Sequence, residues 1–157
     1  MRNAIFISDV QRFTAVSAVG VSALRRQGSG ALGKMHHTLG SMNLAETNGV
    51  HAADDFAAWL EIKTDQLASA AGIKWGAARK ALNLFLRDCL YNKHLSSAYH
   101  HLAHLEPWME MPLDSVIAGQ LKRDAGRGRL PVWQGLKHLT KPDSLRFQNH
   151  ASTMATR

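Results

Sequence analysis

The sequence predicts an all-α fold, a compact multi-helix domain holding a helix–hairpin–helix element. Strand-like alternation of apolar and polar residues is nearly absent, and Val and Ile are sparse. Apolar residues recur instead at helical spacing between Gly, Pro, Ser and Asp punctuation. The chain has 157 residues, 45% of them hydrophobic and 20% charged, which suits one domain with a real core.

Taken in order, Ser8 is placed to cap a helix over residues 9–26, with Phe13, Val16, Val19 and Leu24 as its apolar stripe. The segment RRQGSGALGK breaks it, and a short helix follows near 31–40. A loop runs through NLAETNGVHA. Asp54 and Asp55 open the next helix, where Phe56, Trp59 and Leu60 read as core; Thr64 then caps a short helix ending at Ala71. In AGIKWGAARKALNLFLRDCLY, Gly72 and Gly76 bracket a tight turn. A long helix from Ala77 to Leu90 follows, apolar at Ala81, Leu82, Phe85, Leu86 and Cys89, and ends at Asn92 to His94. Ser96 or Ser97 opens a histidine-bearing helix to about Leu105. EPWMEMP is an irregular connector, and a helix runs from about Asp114 to Arg123. DAGRGRLP is a flexible basic loop, and Trp133 to Leu139 form a short element. Thr140, Pro142 and Asp143 mark the start of a last helix.

Nineteen Lys and Arg oppose twelve Asp and Glu, for a net charge of +7. The excess is uneven: residues 114–157 carry eight basic and three acidic groups, whereas residues 54–113 carry six and seven. A basic globular domain attracts polyanions, of which nucleic acid is the commonest, so double-stranded DNA is the expected partner. No run of 18 apolar residues exists, so no membrane-spanning helix is expected. Cys89 is the single cysteine, which excludes an intramolecular disulfide and any four-cysteine zinc or iron–sulfur site. It reads as core. A reducing cytoplasm and a monomer are the expectation.

Two features carry chemistry. The glycine turn exposes backbone amides at a helix start beside Arg79 and Lys80, which suits a phosphate, with Gly72, Lys74 and Gly76 close by. Ordinary helix packing accounts for the same residues. In PLDS, Asp114 stands at a helix start, where the dipole favours a carboxylate anion. An N-cap accounts for that residue equally well. Lys80 reads equally as a solvated lysine on an amphipathic helix.

The run GAARKALNLFLRD resembles the hairpin of the helix–hairpin–helix base-excision DNA glycosylases, with a layout most similar to their archaeal 8-oxoguanine type. The resemblance covers roughly residues 64–139: the hairpin at about 64–90 and PLDSVIAGQLKR, at about 112–123, similar to the family's catalytic-aspartate segment. It implies that Lys80 stands at the family's catalytic lysine and Asp114 at its catalytic aspartate. It implies a DNA glycosylase that flips a modified base and leaves an abasic site, with no cofactor. Three departures stand out: Ala78 replaces the second glycine of the family's turn, 34 residues separate Lys80 from Asp114, and the chain is short.

An extruded base needs aromatic walls, and Trp75, Trp108 and Trp133 are candidates, each of them also suited to packing. Arg79, Lys122, Arg123, Arg127 and Arg129 are candidate phosphate contacts, with Gly126 and Gly128 letting that loop adapt. A solvated surface explains them as well. His100 and His104, four apart on one predicted helix, would need His94 or Glu106 to complete a zinc site, and no HExxH pattern is present. A polar helix face or contacts to DNA suit His94, His100, His101 and His104 better, and no metal is expected. His36 and His37 are similarly ambiguous.

Overall fold

The computed structural model describes residues 2–20 and 28–156. Seven α-helices appear among them and no strand: α1 Arg2–Ala18, α2 Ala31–Gly40, α3 Ala53–Ala71, α4 Trp75–Tyr91, α5 Lys93–Ala98, α6 Ser115–Ala125 and α7 Lys141–Ala155. Three 3-10 segments join them, at Leu44–Gly49, His100–Trp108 and Leu136–His138. No helix of the described residues is long and apolar enough to cross a membrane.

α4 is the central helix. Its Ala77, Ala78, Ala81, Leu82, Phe85, Leu86, Cys89 and Leu90 are buried, and α1, α3, α5 and the Leu136–His138 segment pack around it. Burying each Leu or Phe contributes about 1.5–3 kcal/mol. Cys89 lies in this core as expected, and burial pushes its thiol far above the usual range. Trp59 packs half-buried on the same cluster, stacked on Phe56.

A second, smaller cluster gathers Leu113, Ala118, Leu121, Phe147 and Ala151 from the connector, α6 and α7, with Ile117, Leu130, Trp133 and Leu139 around it. The last two α-helices therefore form their own lobe against the α3–α4 end of the main cluster.

Several boundaries differ from the sequence reading. Ser8 lies inside α1, which ends at Ala18. Leu24 and the expected continuation to residue 26 lie outside the described residues. The buried stripe of α1 is Gln11, Thr14 and Ala15, continuing to Val19 beyond the helix end, whereas Phe13 and Val16 face solvent. Small and polar residues prevail inside because α2 comes close, with Gly40 against Arg12. Gln11 Nε2 also donates to Leu39 O (3.2 Å) and Met42 O (2.7 Å), satisfying carbonyls at and just beyond the end of α2. Thr64 is not a cap. It sits within α3 and its hydroxyl donates to Leu60 O. Asn92, not Ser96 or Ser97, caps the helix after α4, accepting from His94 N and Leu95 N. That helix lasts only to Ala98 and gives way to a 3-10 segment. The starts of α2, α6 and α7 match, with Asp114 capping α6 and Thr140 capping α7.

Candidate functional site

The local structure begins at the α3–α4 hairpin. Gly72 ends α3 in the left-handed conformation (φ 67°), and Ile73 N closes back onto Ala68 O at 3.0 Å. A residue with a Cβ is strained at that φ, and glycine is not. Gly76 follows a different logic. It lies inside the first turn of α4, where an added Cβ would stand 2.4 Å from Leu136 O and 2.8 Å from the Leu139 Cβ. The close approach that Gly76 permits is therefore made by the chain's own Leu136–Leu139 segment. The helix start expected to face a phosphate is covered at Gly76, while Lys74 at the N-cap is exposed. Ala78, where the resemblance would have glycine, is fully buried in the core and faces away from the hairpin surface.

Lys80 lies on the edge of α4 nearest the second cluster. Its Nζ donates to Asp114 Oδ2 at 3.1 Å, across 34 residues of sequence. Asp114 uses its other oxygen for the helix: Oδ1 accepts from Val116 N and Ile117 N, each at 2.9 Å. Partial burial works to raise the Asp114 carboxyl. The Ile117 amide, the Lys80 ammonium and the Val116 amide outweigh it and hold the group below the usual carboxylate range. Asp114 is thus a held anion and an N-cap at once, and Lys80 is a half-buried partner rather than a solvated lysine.

Beside Lys80, the residues Gly76, Arg79, Asn83, Met111, Leu113, Leu139, Ser144 and Gln148 line a crevice too narrow to seat a water molecule. Gln148 clasps Met111, its Oε1 accepting from Met111 N (3.0 Å) and its Nε2 donating to Met111 O (2.8 Å).

Arg79 is not offered to a phosphate. It is buried and makes a two-pronged contact with Glu110, Nε to Oε2 at 2.8 Å and Nη2 to Oε1 at 2.7 Å. Its Nη1 donates to Thr64 Oγ1 (3.0 Å) and to Glu61 Oε2 (3.3 Å). Asn83 Nδ2 donates to Glu110 Oε2, and Lys141 reaches Glu61 and Asp65. This network ties α3, α4, the connector and α7 together. The sequence does not single out Glu61, Asn83, Glu110 or Lys141, and it offers Thr64 only as a cap. The available signal was the i, i+4 spacing of Arg79 and Asn83 on an otherwise apolar helix face, which demands a polar partner.

The three tryptophans do not surround the Lys80–Asp114 pair. The Trp75 indole donates to Glu61 Oε1 at 3.1 Å under the Arg79 guanidinium, and it lines a separate groove of about 550 Å³ between α3 and α7. Trp108 packs half-buried on the main cluster. Trp133 meets Phe147 edge-on at 5.8 Å in the second cluster. Lys122 and Arg123 end α6, and Arg127 and Arg129 project from the exposed loop in which Gly126 and Gly128 adopt positive φ. Arg146 Nη2 donates to Arg129 O and ties that loop to α7.

His100 and His104 sit on the 3-10 segment, where three residues make a turn. Residues four apart there diverge by roughly 120° instead of sharing a face. His101 Nε2 is bound to Leu44 O, and the His94 and Phe6 rings meet at right angles. His36 Nε2 meets Val19 O at 2.8 Å, a structural tie between α2 and the end of α1. Among the described residues no three His, Cys, Asp or Glu gather to hold a metal ion.

Compared with protein-family models, with curated proteins and with solved structures, the chain matches none of them.

Proposed function

We propose that the chain is a DNA N-glycosylase that flips a modified base out of double-stranded DNA and leaves an abasic site. The observation that carries the reading is the 3.1 Å contact between Lys80 and Asp114, two residues that simple phosphate binding does not require together. Breaking the bond between the base nitrogen and C1′ builds positive charge on the sugar. A carboxylate held as an anion stabilises that charge and orients the water that attacks C1′. Asp114 is in that state. Lys80, once its proton has passed to an acceptor, is the candidate nucleophile at C1′, and the Schiff base so formed opens a route to strand cleavage. No cofactor is required. The exposed residues Arg123, Arg127 and Arg129, with Lys122, supply contacts to phosphate, and Lys74 stands on the hairpin side.

For the substrate, the reading carries two classes: a bulky base such as the glucosylated hydroxymethylcytosine of phage DNA, giving a defence role, or an oxidised purine, giving a repair role. The crevice beside Lys80 is too narrow for either, so the flipped base is received on the exposed side of Asp114, or the connector moves aside.

A second reading, a non-enzymatic DNA-binding module, draws on the cap that Asp114 makes for α6. Abasic-site formation separates the two. Purified protein is incubated with unmodified, oxidised, uracil-containing and glucosylated DNA, alongside Asp114→Asn and Lys80→Gln. Abasic sites on one substrate, lost in Asp114→Asn, support the glycosylase and name its base. Retention of activity in Lys80→Gln then assigns simple hydrolysis without strand cleavage. Absence of abasic sites on every substrate, with salt-sensitive DNA binding intact, favours the module.

A further inference from the structure

α1 has its polarity reversed. Gln11 and Thr14 point into the core, at 4% and 5% exposure, whereas Ile5 (60%), Phe6 (46%), Phe13 (72%) and Val16 (53%) lie outward. At 3.6 residues per turn, positions 5, 9, 13 and 16 share one stripe, with 6 and 12 on its two flanks. Between residues 5 and 16 the stripe is thus apolar at four positions and carries one acid and one base, Asp9 and Arg12, which pair with each other. A contiguous apolar stripe of this kind marks an interaction surface.

We propose that this face of α1 pairs with the same face of a second copy of the chain, antiparallel about a two-fold axis. The charge pattern chooses the occupant. Two-fold pairing requires a surface complementary to itself. With the axis midway between Asp9 and Arg12, Asp9 of each copy meets Arg12 of the partner subunit, and Ile5 meets Val16 of the partner subunit. α1 packs on the main cluster, whereas Asp114 stands beside the second, so the pairing stands independently of the glycosylase reading. It departs from the expectation of a monomer. A single helix pair is at the small end of stable interfaces, which sets a micromolar dimer.

Sedimentation velocity over roughly 5–500 µM tests it. The wild-type chain is expected to pass from monomer to dimer across that range. Phe13→Asp is expected to weaken the dimer at least tenfold without altering the circular dichroism or melting of the fold, since its ring lies outside the core. Asp9→Arg and Arg12→Asp each place like charges across the axis and weaken the dimer as well. An equimolar mixture of these two restores opposite charges between copies, though not within either helix, and is expected to dimerise more tightly than either alone. A wild-type chain that stays monomeric throughout, a Phe13→Asp chain that dimerises as well as the wild type, or a mixture no tighter than its components overturns the proposal.

Discussion

Asp114 Oδ1 caps α6 while Oδ2 holds Lys80, so substitutions can separate the two roles. Asparagine keeps an oxygen for the amides of Val116 and Ile117, whereas alanine keeps none. Asp114→Ala is expected to cost about 1 kcal/mol more stability than Asp114→Asn, read by urea denaturation. Because the folded carboxyl titrates below its unfolded value of about 3.9, its charge contributes stability at higher pH. That contribution is complete above about pH 5 and is lost as pH falls through the folded value. The melting difference between wild type and Asp114→Asn is therefore expected to hold steady from neutral pH to about pH 5 and to shrink in more acid solution. The side chain is 36% exposed, so solvent screening keeps the ion-pair part of the difference below about 1 kcal/mol. Arg79 sits at the other extreme. Arg79→Ala leaves Glu110 and Glu61 without their buried cation and is expected to cost about 3–5 kcal/mol in denaturant unfolding.

At the scale of elements, α4 is legible in the sequence and its surroundings are not. A strong apolar period fixes the helix, but the period does not say that the Leu136–Leu139 segment closes over Gly76. Gly76→Ala is expected to push that segment away, costing about 1–3 kcal/mol and raising hydrogen exchange at residues 136–139. Gly72→Ala meets no neighbour within 4 Å and strains only its own backbone, at about 1 kcal/mol, with exchange at 136–139 unchanged. Comparing the two by exchange mass spectrometry distinguishes packing from backbone strain. The start of α1 and the α5 region escaped the sequence reading for a related reason. A polar inner face that caps a neighbouring helix inverts the usual pattern, and a 3-10 segment carries a period of three that a search for 3.6 does not register.

Across the whole molecule, two hydrophobic clusters of unequal size meet along the Lys80–Asp114 pair and the network around Arg79. The smaller one has five buried members and borrows stability from the larger through Glu110, Lys141 and the Gln148–Met111 clasp. Native-state hydrogen exchange is expected to show α6 and α7 opening at a lower free energy than α4. Uniform protection across α4, α6 and α7 would mean that the clusters unfold as one unit.

The sequence by itself determined the helical class, the buried Cys89, the helix starts at Asp114 and Thr140, and the basic excess toward the C-terminal end. Each of these follows from local spacing, residue type or count. It also put Lys80 and Asp114 forward as a pair, through a resemblance in short motifs. Only the tertiary structure decided that the two lie 3.1 Å apart, that Arg79 is buried between carboxylates, that Gly76 is covered and that Phe13 and Val16 face out. Those facts depend on which distant segments meet, and burial and ion pairing are properties of that meeting rather than of any one stretch of chain.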